Sequence, residues 1–175
     1  IETQRDLILE KNEEMVQQQE EILSQKEEIE KKNTMLELKN IELTDSIIYA
    51  RRIQNTILPP IERIFSTFPE HFIFYQPKDI VSGDFYYFEK IENKIVFGVI
   101  DCTGHGVPGA LMSIVSHNLL DKAVIENKIT TPSAIINFIN QEIISTYRSR
   151  DDESISDAMD IALCVWDTES HQLQY

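Results

Sequence analysis

Two aspartates set beside glycines are the residues of this 175-residue sequence best suited to chemistry. Asp84 follows Ser82-Gly83 and precedes Phe85-Tyr86. Asp101 ends the apolar run Ile95-Val96-Phe97-Gly98-Val99-Ile100 and opens the stretch Asp101-Cys102-Thr103-Gly104-His105-Gly106-Val107-Pro108-Gly109-Ala110. A carboxylate at the end of a buried strand costs many kcal/mol unless it is paired or binds a cation. Gly83, Gly104 and Gly106 permit tight backbone geometry and close approach of a ligand. Two carboxylates of this kind suit a hard cation with oxygen ligands. An Asp beside Gly also serves as a turn former or helix cap, and residue types alone leave both readings open. His105 is open in the same way, as an acid or base or as a structural loop residue, with no Ser or Cys nucleophile signalled nearby. The glycine cluster lacks the Lys-Ser/Thr of a P-loop and the spacing of a dinucleotide fingerprint, so nucleotide binding ranks third. His71, His117 and His171 show no ligand-like spacing, and Asp151, Asp152 and Glu153 read as a solvated loop.

The elements around these residues are legible from pattern. Phe85 to Ile91 and Ile95 to Asp101 flank the short turn Glu92-Asn93-Lys94 and predict an antiparallel hairpin, which brings Asp84 and Asp101 to the same end. Two carboxylates so placed repel unless one is protonated or a cation lies between them. His71-Phe72-Ile73-Phe74-Tyr75, closed by Pro77, predicts a further strand. Residues 61–70 read as a loop or short helix. Pro108 marks the first turn of an amphipathic helix of about eighteen residues carrying Leu111, Val115, Leu119 and Ala123. Thr131-Pro132 introduces a second helix with Ile135, Ile136, Ile139, Ile143 and Ile144. Residues 147–157 read as a charged loop, 159–166 as a strand, and 167–171 as a turn into a last strand.

Residues 1–58 contain neither Pro nor Gly and are rich in Glu, Gln, Lys and Leu, strong helix formers. Ile1, Ile8, Met15, Ile22, Ile29, Leu36, Leu43, Ala50 and Ile57 recur every seven residues. With these at d, the a positions are Arg5, Asn12, Gln19, Lys26, Asn33, Asn40, Ile47 and Gln54, a polar seam that favours a parallel dimer. A solvated single helix is the alternative, at the cost of leaving a long apolar seam in water. Such a helix is roughly 85 Å long at about 1.5 Å per residue. From Ser46 the pattern becomes apolar on more than one face, and Pro59-Pro60 stops the helix. Residues 46–60 are therefore expected to pack on a globular domain as a regulatory segment, with Ile53, Gln54, Ile57 and Leu58 as its contact residues.

The formal net charge is −14, of which thirteen acidic and six basic residues up to position 45 supply half. That balance argues against nucleic acid and anionic membrane surfaces as partners. Cys102 and Cys164 sit in apolar contexts without metal-type spacing and are expected to stay reduced, which favours the cytoplasm. No apolar run reaches the length of a membrane span. The chain opens on Ile1 rather than Met and reads as part of something larger, with an upstream sensor expected outside it.

Three motifs in register resemble the stage II sporulation protein E type of serine phosphatase, a bacterial group of metal-dependent, type 2C-like protein phosphatases. They are Ala50-x-x-Ile53-Gln54-x-x-Ile57-Leu58-Pro59, Pro77-x-x-x-Val81-x-Gly83-Asp84-Phe85-Tyr86, and Asp101-x-x-Gly104-His105-Gly106-x-x-Gly109-Ala110. Ser82 stands where the family frequently has glycine. The resemblance implies an α+β fold: a long N-terminal coiled-coil helix (1–45), a switch helix with its Pro-Pro stop (46–60), and the N-terminal part of a phosphatase domain (61–175) as an incomplete α-β-β-α sandwich. It implies a binuclear Mn2+ or Mg2+ centre, with Asp101 bridging both ions, Asp84 binding one and the Cys102 backbone carbonyl as a further ligand. The family's later aspartates lie beyond residue 175, so metal binding is expected to be weak or absent here and the chain by itself inactive. The implied substrate is a phosphoserine or phosphothreonine protein such as an anti-sigma-factor antagonist, with the coiled coil as regulator and homodimer contact. The alternative is a non-catalytic dimerisation or scaffold module.

Overall fold

The computed structural model describes residues 2–147 and 158–175. The chain divides into two compact units, Ile1–Ser46 and Ile47–Tyr175. The charged loop expected at residues 147–157, with Asp151, Asp152 and Glu153, falls almost wholly outside the described residues.

Helix α1 (Glu2–Asn55) makes up the first unit and contributes its last residues to the second. Its backbone is held by residue choice rather than by packing. Side-chain pairs such as Glu28 with Lys32 at 2.7 Å are exposed, and each adds only a few tenths of a kcal/mol. Ile8, Ile22, Leu36 and Leu43 of the seven-residue series are all exposed.

In the second unit α1 ends in a turn where the Ile57 N–H donates to the Gln54 carbonyl at 3.1 Å, and Pro59-Pro60 follow. Residues 61–70 resolve into the short helix α2 (Ile61–Thr67) and the stretch after it. Four antiparallel strands form one sheet in chain order: β1 (Phe85–Ile91), β2 (Lys94–Cys102), β3 (Met159–Asp167) and β4 (Gln172–Gln174). The first hairpin closes on two residues rather than three, because Glu92 takes a φ of 55° and Lys94 already pairs with Ile91.

Helix α3 (Gly106–Asp121) opens two residues before Pro108, at Gly106, whose φ of 64° is left-handed. It passes into a π-helical turn, Lys122–Glu126, closed by the Asn127 N–H donating to the Lys122 carbonyl at 3.0 Å. Helix α4 (Pro132–Tyr147) follows. The main core joins alternate residues of the strands (Phe85, Tyr87, Val96, Ile100, Leu163, Val165) to Met112, Leu120, Ile135 and Ile139 of the two helices. Strand alternation thus buries one face of the sheet under helices.

The opposite face carries a smaller cluster of Ile64, Phe88 and Ile95, with Phe68, Ile73, Phe97 and Trp166 against it. A cavity of about 1000 Å³ opens on this face, and Val99 there is exposed. The strand expected at residues 71–75 is not formed: the segment is extended but joins no ladder among the described residues, and Phe72 and Phe74 are 91% and 83% exposed. Its aromatic and apolar composition is that of a strand, but a strand needs a hydrogen-bonding neighbour as well as a composition. The architecture is α+β with one sheet; a second sheet of the expected sandwich is not among the described residues.

Candidate metal centre

The β1–β2 register pairs Phe85 with Ile100, so one further step along both strands sets Asp84 against Asp101. The Asp84 carboxyl is held above the usual carboxylate range, by partial burial first and then by the hydrogen bond to and charge of Asp101. A carboxyl raised in the folded state contributes stability below the ordinary carboxylate pKa and loses it as pH rises through the raised value. At neutral pH the bare pair therefore works against the fold, and a cation between the two groups reverses that sign.

A third oxygen lies close by. A Cβ built on Gly83 would fall 2.8 Å from the Cys102 carbonyl oxygen and 2.8 Å from that of Gly104. One built on Gly109 would fall 2.5 Å from the Gly104 carbonyl oxygen and 3.1 Å from the Gly83 Cα. Three glycines thus interlock, pressing the Ser82–Asp84 segment backbone to backbone against the loop after Asp101 and the start of α3. Gly83 and Gly104 belong to the expected set; Gly109 was expected only as a motif position, and its contact comes from the approach of two distant loops. Gly106 adopts its left-handed φ instead of a close contact.

Two carboxylates and a carbonyl are hard oxygen donors of the kind Mg2+ or Mn2+ takes, so the donor chemistry fits. Among the described residues no group of three or more His, Cys, Asp or Glu is arranged to hold an ion. Asp160 pairs with Asp101 across β2 and β3 and lines the same cavity as Asp84 and Asp101. Sequence reading placed it in a strand without a role, since register across 59 residues is not a local signal.

The contact residues of 46–60 are placed unequally. Gln54 is 2% exposed: its amide nitrogen donates to the Ser82 carbonyl and, at 2.7 Å, to Ser113 Oγ, while its oxygen accepts the Ser82 N–H at 3.1 Å. A side-chain amide here does what a neighbouring strand would do for Ser82. Ser113 passes the chain on by donating to the Ala110 carbonyl at 2.8 Å. Ser82 Oγ accepts the Asp84 N–H at 3.0 Å. Leu58 is partly buried against the main core, whereas Ile53 is 46% exposed and stays out of it. Cys102 and Cys164 are both free. Cys102 is buried with its Sγ 3.4 Å from Ser116 Oγ, and burial pushes both thiols up. His105 is exposed, with Nδ1 3.2 Å from Asp79 Oδ2.

Comparison with known proteins finds likeness both to a family and to solved structures. The family described as stage II sporulation protein E matches residues 91–175. The solved SiaA-PP2C domain of Pseudomonas aeruginosa superposes with a TM-score of 0.66 at 34% identity, covering 77% of this chain and 52% of that one. The chain thus spans about half the length of that structure. No curated protein matches it by sequence. No helix among the described residues is long and apolar enough to cross a membrane.

Proposed function

The chain belongs to the stage II sporulation protein E family of PP2C-type phosphatases, and from that premise we propose that it supplies the first half of a metal-dependent phosphoserine/phosphothreonine protein phosphatase. The observation that carries this reading is the Asp84–Asp101 pair, two carboxylates set opposite each other at the mouth of a hairpin, with the Cys102 carbonyl against the neighbouring Gly83. Asp84, Asp101 and the Cys102 carbonyl would hold Mn2+ or Mg2+, which when bound supplies an activated water and neutralises phosphoryl charge. The chain's own residues do the positioning: Gly83 and Gly109 fix the spacing of the two loops, and Gln54 and Ser82 orient the backbone of Asp84.

The test is hydrolysis of a phosphoserine peptide by the protein over the full length of the family's domain, with this chain alongside it. The longer protein is expected to turn over with Mn2+ and to stop when the ion is chelated. This chain, with two carboxylates, is expected to show little turnover. Metal-independent turnover would overturn the metal-dependent reading, and equal turnover by the short chain would overturn its assignment as half a site.

Regulation and partners extend the proposal. The exposed seam of Ile8, Ile22, Leu36 and Leu43 is suited to a second copy of α1 in a parallel coiled coil. Through it a sensor would act on Gln54, with a phosphoprotein such as an anti-sigma-factor antagonist as substrate and the cytoplasm, consistent with two free cysteines, as the location. Sedimentation is expected to report a dimer for residues 1–175 and a monomer once 1–45 are removed. A monomer for the whole chain would remove the coil from the mechanism. The coil also leaves a scaffold role as the second reading, which the hydrolysis assay separates.

A further inference from the structure

The two loops that carry Asp84 and Asp101 hold a further pair that the metal-site reading leaves unused. Asp79 lies five residues before Asp84, and His105 four residues after Asp101. Their side chains meet across the loops, His105 Nδ1 donating to Asp79 Oδ2 at 3.2 Å. A carboxylate only accepts, so the bond keeps a proton on Nδ1 and leaves Nε2 outside it.

The loop after Asp101 is shaped for this reach. Gly104 and Gly106 take φ of 93° and 64°, a region costly for other residues, and between them His105 is extended at φ −127° and ψ 169°. Two left-handed residues around an extended one turn the chain out of β2 and into α3, with His105 at the corner. A Cβ on Gly106 would lie 3.8 Å from Asp79 Oδ2, an ordinary contact, so the Asp79 carboxylate rests beside that corner. The interlock of Gly83, Gly104 and Gly109 joins the same two loops by backbone contact. Such contact resists compression strongly and separation only weakly. The Asp84 and Asp101 carboxylates, meanwhile, push the loops apart.

We propose that Asp79 and His105 are positioning residues, a clasp that holds the two carboxylate loops against their own repulsion and keeps Asp84 and Asp101 at the spacing a cation between them needs. The importance of the clasp for catalysis rests on the phosphatase reading above; the clasp itself does not. Three ties then act on the stretch from Asp79 to Asp84. Gln54 fixes Ser82, the glycines set how near the loops come, and the clasp limits how far they part. Both clasp side chains are exposed, 75% for His105 and 45% for Asp79, so the bond is worth only a few-fold in an equilibrium constant. Its effect on the site has the same size, because an ion that needs the loops together binds in proportion to the fraction of time they are together.

Amide hydrogen exchange in the full chain without metal reads the clasp directly. The Asp84 N–H, bonded to Ser82 Oγ, reports on one loop. In His105→Ala and in Asp79→Ala its protection is expected to fall about three- to fivefold, while Val96 and Leu163 in the sheet keep theirs. The double variant is expected to fall no further than either single one. His105→Asn, which places an amide N–H near the position of Nδ1, is expected to recover most of the protection. Unchanged protection at Asp84, effects that add in the double variant, an equal fall at Val96 and Leu163, or no recovery in His105→Asn overturns the clasp. Mn2+ titration of the domain-length protein gives the second readout. Affinity is expected to fall by the same three- to fivefold factor in each alanine variant and to return in His105→Asn. Undiminished affinity in the alanine variants overturns the positioning role. Absence of Mn2+ binding by the wild-type protein would count against the metal-dependent reading alone, while exchange still decides on the clasp.

Discussion

Replacing Asp101 with Asn in the domain-length protein is expected to abolish the rise in thermal midpoint that a bound Mn2+ or Mg2+ would give at neutral pH, and to remove hydrolysis with it. Asn keeps the shape and one oxygen but discards the charge that makes the pair with Asp84 a cation site. Loss of even an outer-shell partner lowers metal affinity roughly 10- to 100-fold, so a fall of at least about 100-fold is expected for a direct ligand. The same substitution has a second, opposite consequence without metal. Asp84 no longer faces a like charge, so the variant is expected to be more stable than wild type at neutral pH and to differ little in acid, where the wild-type pair shares a proton. Thermal melts with and without ion at both pH values read all four terms. An Asn variant that still responds to the ion would remove Asp101 from the site.

Gln54→Leu is expected to be nearly as damaging although it touches no carboxylate. The leucine fits the volume, but the Ser82 N–H and carbonyl lose their partner in a buried setting, while Ser113 Oγ loses the N–H it accepts and keeps its bond to the Ala110 carbonyl. Each orphaned buried group costs about 1–3 kcal/mol, so a loss of roughly 2–4 kcal/mol is expected after partial relaxation. Urea unfolding should show a lower midpoint at unchanged slope. Cation affinity should fall as well, since Ser82 Oγ holds the Asp84 N–H. Loss of stability with undiminished cation affinity would show that Gln54 supports the fold and has no hold on the site.

What could be read from sequence was what depends on neighbours along the chain. The seven-residue series needs only residues one or two helical turns apart, and α1 follows it to Asn55. The Asp84–Asp101 meeting was legible because a tight turn lies between two apolar runs. What escaped depends on distant partners. Gln54 is expected from sequence to meet the globular domain, but it also occupies an a position of the heptad, and nothing local says that its partners are Ser82 and Ser113. His117 had no ligand spacing, and its neighbours Phe85, Tyr87 and Asp121 come from β1 and α3. Phe72 and Phe74 have strand chemistry and no ladder. Gly109 and Asp160 matter only once loops and strands far apart in sequence have come together.

The Gln54 amide also carries a consequence for the order in which the molecule assembles. Its partners lie 28 and 59 residues further along the chain, so on a ribosome the end of α1 is made well before anything it can dock on exists. Local turns of α1 can form early, but the docked helix end is non-local and has to wait for Ser82 and then for Ser113. The joint that ties the helix to the carboxylate loop is in this sense one of the last parts of the first folding event to close.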